Sequence, residues 1–149
     1  MNNIRVSFLA FTAGLLLGLG TVAILFYNGL LLGSLTAMFL NWKLSLSFWA
    51  LILPHGVIEL PCIFIAGGAG LLLGGALLVH RSRSRKEALQ ERGLVAVRLA
   101  LGIVPLLAIA AAIEGFITPL TIIGPYAKLG FALLAAAALG VYLLRGRSA

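Results

Sequence analysis

The sequence predicts an all-α protein: a polytopic transmembrane helical bundle forming one domain over residues 1–149. Three observations carry that expectation. Hydrophobic residues make up 62% of the chain and charged residues 10%, where a soluble domain carries about a quarter charged. The mean hydropathy is +1.14. The few charges sit between long apolar blocks instead of forming a polar face, so the surface such a composition leaves exposed has to meet lipid.

The spans follow from the uncharged stretches. Residues 6–27 hold no charge over 22 positions, enough for a bilayer core that needs about 20. The stretch is too long for a signal-peptide core and no small-residue cleavage site follows it, so it reads as a retained span. Residues 56–79 form a second stretch, interrupted by Glu59 alone, and residues 93–113 a third, with Arg98 placed to snorkel and Pro105 as a kink. Residues 129–144 are the fourth, short but extended by Tyr126 and Ala127 and flanked by Lys128 and Arg145.

Residues 28–54 join the first two spans and are mostly apolar. Asn41-Trp42-Lys43 divides them into two arms, residues 30–40 and 44–54. Each arm is about 16 Å long as a helix, roughly half the hydrocarbon thickness. The expectation is a pair of short re-entrant or interfacial helices anchored by Trp42 and Lys43. Small residues recur four apart at Gly14 and Gly18, at Gly29 and Gly33, and at Ala66, Gly70 and Gly74. That spacing lets helices approach closely in lipid, within the chain or in a homo-oligomer.

The basic residues set an orientation. His80, Arg81, Arg83, Arg85, Lys86 and Arg92 fill the loop over residues 80–92, which the positive-inside tendency makes cytoplasmic. Alternation over four spans then puts Arg5, Arg145 and Arg147, and hence both termini, on the cytoplasmic side of a plasma (inner) membrane. The formal charge of +7 is thereby an orientation signal, with a second use in contacting anionic headgroups, and not a nucleic-acid footprint.

Polar residues inside the apolar blocks are the candidate site. His55 and Glu59 stand four apart on one helix face, near the outer end of the second span. Glu114 leaves the third span at the same level and Asn28 follows the first. An ionisable group at bilayer depth costs about 2.5–3.5 kcal/mol on insertion scales, so it generally has a partner or a job. Three arrangements fit: hydrogen bonds between helices, a polar cavity, or a metal bound by His55, Glu59 and Glu114. The last has a thin basis, since H-E-x-x-H is absent. There is no P-loop or G-x-S-x-G elbow, and no cofactor is implied. The single cysteine, Cys62, excludes an internal disulfide.

Four blocks of the sequence resemble the stage II sporulation protein M family. They are Asn2-Asn3-Ile4-Arg5-Val6; Tyr27-Asn28-Gly29-Leu30-Leu31-Leu32-Gly33; Pro54-His55-Gly56-Val57-Ile58-Glu59-Leu60-Pro61 followed by Ala66-Gly67-Gly68-Ala69-Gly70; and Ala112-Ile113-Glu114-Gly115-Phe116-Ile117-Thr118-Pro119. The blocks occur in family order and extend over nearly the whole chain. The resemblance implies a multispanning membrane protein that is not an enzyme. In spore formers the family member is the scaffold of a complex whose enzymes thin septal peptidoglycan during engulfment, so the implied partners are wall-remodelling membrane proteins. The family also occurs in archaea and in bacteria that do not sporulate. Members usually carry residues before the Asn-Asn-x-Arg block, often another span, so an N-terminally shortened chain is expected. Two other functions suit the same polar residues: a small channel or transporter with an outward-facing cavity lined by His55, Glu59 and Glu114, and an intramembrane metal-dependent hydrolase.

Overall fold

A computed structural model describes residues 2–78 and 84–145. His80, Arg81, Arg83 and Arg147 of the expected basic segments lie outside the described residues. Every element is helical: α1 (Asn2–Thr12) with a 3₁₀ turn at Ala13–Leu15, α2 (Leu19–Asn41), α3 (Ser45–Leu78), α4 (Arg85–Gly102), α5 (Val104–Ala112) with a π-helical segment at Ile113–Ile117, and α6 (Pro125–Arg145). Four of these units, with α4, α5 and the π-helical segment counted as one, are long and apolar enough to cross a membrane. The expected fold class and the number of long apolar helices both stand.

The first span does not run as expected. A charge-free block of 22 residues is divided because Leu17 and Gly18 take positive φ, +56° and +81°, and end the helix. The chain turns back there, so α1 and α2 form a hairpin instead of one helix over residues 6–27. Absence of charge says a segment tolerates lipid; it does not say the segment is straight. As a result Arg5 and Asn28, expected at opposite ends of one helix, lie at the same end of the bundle, and the expected alternation that put both termini on one side no longer follows.

The two short arms differ as well. A turn does fall at Asn41-Trp42-Lys43. The Leu44 N–H bonds the Phe39 carbonyl at 2.9 Å and the Lys43 N–H bonds that of Leu40 at 3.0 Å, with Lys43 left-handed at φ +58°. This is a Schellman closure with lysine where glycine is usual. The Phe39 and Phe48 rings meet across it at 4.8 Å. Yet residues 30–40 continue α2 and residues 44–54 lead into α3, because nothing at Asn28-Gly29 or at Pro54 stops a helix whose backbone has no water to bond instead. Pro54 and Pro61 both lie inside the 34-residue α3.

α3 is the centre of the bundle and packs against every other helix. One face carries Ile58, Cys62 and Ala66 against Ile103, Leu107, Ala110 and Ile113, with Ala69 and Leu73 against Ala96 of α4. The other face is nearly bare backbone. A Cβ on Gly14 would lie 2.6 Å from the Gly70 Cα, and one on Gly74 would lie 2.7 Å from the Gly18 Cα. Real side chains do not fit there, so the glycines are what allow the contact. The pairs Gly14–Gly70 and Gly18–Gly74 are each 56 residues apart, the same offset as Asn3 and Glu59. α1 therefore runs parallel to α3 in one constant register. α2 returns antiparallel, with Thr21 donating to the Ala10 carbonyl at 2.7 Å and Leu25 over Gly67. Gly29 and Gly33, by contrast, face open space.

Residues 85–92 of the expected loop are helical. Ser84 caps α4: its hydroxyl accepts from the Glu87 N–H at 3.3 Å, and the Glu87 carboxylate accepts from the Ser84 N–H at 3.0 Å. This reciprocal pair starts the helix about two turns before the apolar stretch. Ser84→Ala is expected to cost about 1 kcal/mol and to fray the first turn of α4, read as faster amide exchange at Glu87 and Ala88. Pro105 sits in the first turn of α5, just past the break at Ile103 between α4 and α5, so the expected kink is present.

Candidate functional site

The register of the glycine contact fixes what happens eleven residues further along. It brings Asn3 of α1 level with Glu59 of α3, and the Asn3 amide donates to the Glu59 carboxylate. Glu59 is 3% exposed and His55 9% exposed. Their side chains lie 4.0 Å apart, one helical turn from each other on α3. On its other side, His55 Nδ1 is 3.3 Å from the Thr118 hydroxyl, which also lies 3.2 Å from the Ile113 carbonyl. With that hydroxyl donated to Ile113, Nδ1–H is the donor to Thr118.

Thr118 owes its place to the π-helical segment. The wider turn carries the Thr118 N–H to the Ile113 carbonyl at 2.9 Å and ends the helix there. Lys128, in the first turn of α6, then donates to the Thr118 carbonyl at 2.6 Å. A cation thus meets the exposed carbonyl end of a helix, the end that favours positive charge. The result is a chain of polar contacts, Asn3–Glu59–His55–Thr118–Lys128, that ties α1, α3, the π-helical end of α5 and α6 together at one level.

Beside this brace lies a half-open cleft of about 230 Å³ between α1, α2 and α3. Asn3, Asn28, His55 and Glu59 supply its polar wall, and Leu31, Leu35, Ile52 and Ile63 are among its apolar lining. Of the residues expected to meet, Asn28, His55 and Glu59 do. Glu114 does not line the cleft; it lies half-buried on the π-helical segment. Among the described residues no three of His, Cys, Asp and Glu gather closely enough to hold a metal ion. His55, Glu59 and Glu114 are therefore not gathered as a three-ligand set, and the group that follows the π turn to His55 is Thr118. Asn3, Thr118 and Lys128 are the members that polarity within apolar blocks did not single out. Asn3 and Thr118 do stand in the quoted Asn-Asn-x-Arg and Ile-Glu-Gly-Phe-Ile-Thr-Pro blocks.

Four lipid-length helices with α3 at their centre, and a polar brace between elements of the bundle, define a multi-pass membrane protein. The chain belongs to the stage II sporulation protein M family, whose model matches residues 1–119, from α1 through the π-helical segment. It is 33% identical over 123 residues to an uncharacterized protein of Methanocaldococcus jannaschii, a match covering 79% of this chain and 67% of that one. No solved structure matches.

Proposed function

We propose that the protein is a non-enzymatic membrane scaffold, a body that holds partner proteins at a fixed depth in the plasma membrane. The observation that supports this reading is the brace. Its polar side chains bond one another across helices, and among the described residues no buried side-chain donor or acceptor is left without a partner. A transport or catalytic centre needs groups held ready for something else; here most are engaged in positioning helices. The family resemblance supplies the partner class, enzymes that remodel peptidoglycan, although the archaeal relative's name assigns no such role. In this reading Arg85, Lys86, Arg92 and Arg145 mark the cytoplasmic end, and the Asn3–Glu59 level lies toward the outer face.

The channel reading makes a different prediction for purified protein in liposomes. Proton and potassium flux is expected to match that of empty liposomes, while wall-remodelling membrane enzymes cross-link to the protein in cells. Flux above background that disappears in His55→Ala, with the protein still folded, would overturn the scaffold.

A further inference from the structure

We propose that the cleft between α1, α2 and α3 seats a basic side chain, lysine or arginine, carried on a partner's transmembrane helix. The inference rests on the scaffold reading and names the contact by which a partner is held. Three features of the cleft point to that occupant. Its deepest polar group is the nearly fully buried Glu59 carboxylate, and the ionisable partner of Glu59 among the described residues is a histidine, not a lysine or arginine. Intramembrane carboxylates pair with bases, because an unmatched charge at that depth is costly.

The second feature is Asn28. It is half-buried, lines the cleft from α2, and makes no side-chain hydrogen bond among the described residues. Its amide lines the same cleft as the carboxylate and carries an oxygen able to accept from a donor placed there. The third is shape. The rest of the wall is aliphatic, with Leu31, Leu35, Ile52 and Ile63, which suits the methylene stem of a long basic side chain. The cleft is half open, and Leu31 and Leu35 at its rim are exposed, so a side chain can enter from within the membrane. An anion is disfavoured by Glu59, and a purely apolar occupant would leave Asn28 without a donor and the carboxylate with the Asn3 amide and His55 alone.

The test uses the purified full chain in liposomes with synthetic polyleucine transmembrane helices, binding being read by energy transfer between labels. One helix carries a single lysine at the depth of Glu59, and its control carries leucine there. The lysine helix is expected to bind about tenfold more tightly than the leucine helix. That preference should vanish in Glu59→Gln and fall in Asn28→Leu, with thermal stability of both variants measured alongside. Equal binding of the two helices, or a lysine preference that survives Glu59→Gln in a folded protein, overturns the proposal. So does dodecylamine displacing the lysine helix at matched concentration, which would assign the cleft to free amphiphilic amines. If the helices bind equally while wall enzymes still cross-link to Glu59→Gln in cells, the scaffold stands and this contact alone falls.

Discussion

Gly70→Leu is expected to detach the α1–α2 hairpin from α3 and to cost on the order of 3 kcal/mol or more, among the largest effects of any single substitution in this chain. A Cβ at that position would come 2.6 Å from Thr21 Oγ1 and 3.1 Å from the Phe11 carbonyl oxygen, and the leucine would add three more carbons to the same gap. A flexible side chain can move aside; backbone held in two helices cannot. The loss should appear as a lower unfolding midpoint in detergent, measured by circular dichroism or by titration with a denaturing surfactant. Gly33→Leu is the matched control, since nothing lies within 4 Å of its Cβ position. It is expected to stay within about 0.5 kcal/mol of the parent. Equal losses in the two variants would mean that the glycine contact does not hold the hairpin.

The second large effect is expected at Glu59. Glu59→Ala removes the acceptor of Asn3, takes away the partner facing His55, and leaves empty volume at the centre of the brace. Interhelical hydrogen bonds in membranes are worth about 0.6 kcal/mol on average and at most about 1.7. With the lost packing added, a cost of about 2–3 kcal/mol follows. Glu59→Gln keeps an oxygen for the Asn3 amide and almost the same volume, so it should cost less than about 1 kcal/mol. The comparison separates hydrogen bonding from charge. If Glu59→Gln destabilises as much as Glu59→Ala, the brace depends on an ion pair with His55 and not on the Asn3 contact.

Much of this was legible from residue order alone, for reasons that differ by element. Long uncharged blocks report lipid tolerance directly, and the number of long apolar helices follows. The turn at Asn41-Trp42-Lys43 was legible because polar and aromatic residues interrupt an apolar run. The hairpin at residues 16–18 was not. Glycines at 14, 18 and 20 are ordinary in a membrane helix, and only the approach of Gly70 and Gly74 of α3 makes a reversal there favourable. Asn28, His55 and Glu59 stood out as polar residues at one expected depth and do line one cleft, although Asn28 reaches it from within α2 and not from the end of a span over residues 6–27. The depth argument failed for Glu114 because depth says nothing about rotation. The π-helical segment turns the end of α5, so that Thr118, four residues on, is the group facing His55. Asn3 was missed because it precedes the first apolar block, and its partner becomes visible only once α1 is known to run in register with α3.

The length of α3 has a consequence for the membrane itself. Its 34 residues measure about 51 Å along the axis, against a hydrocarbon slab of about 30 Å. Even at a tilt of about 40°, the upper end of what transmembrane helices adopt, it would still rise about 39 Å. The surplus has to be absorbed by bends at Pro54 and Pro61, by acyl chains stretched alongside, or by apolar surface lifted among the headgroups. Each of these depends on how thick the surrounding bilayer is, so the stability of this bundle is tied to the lipids that hold it as well as to its own contacts.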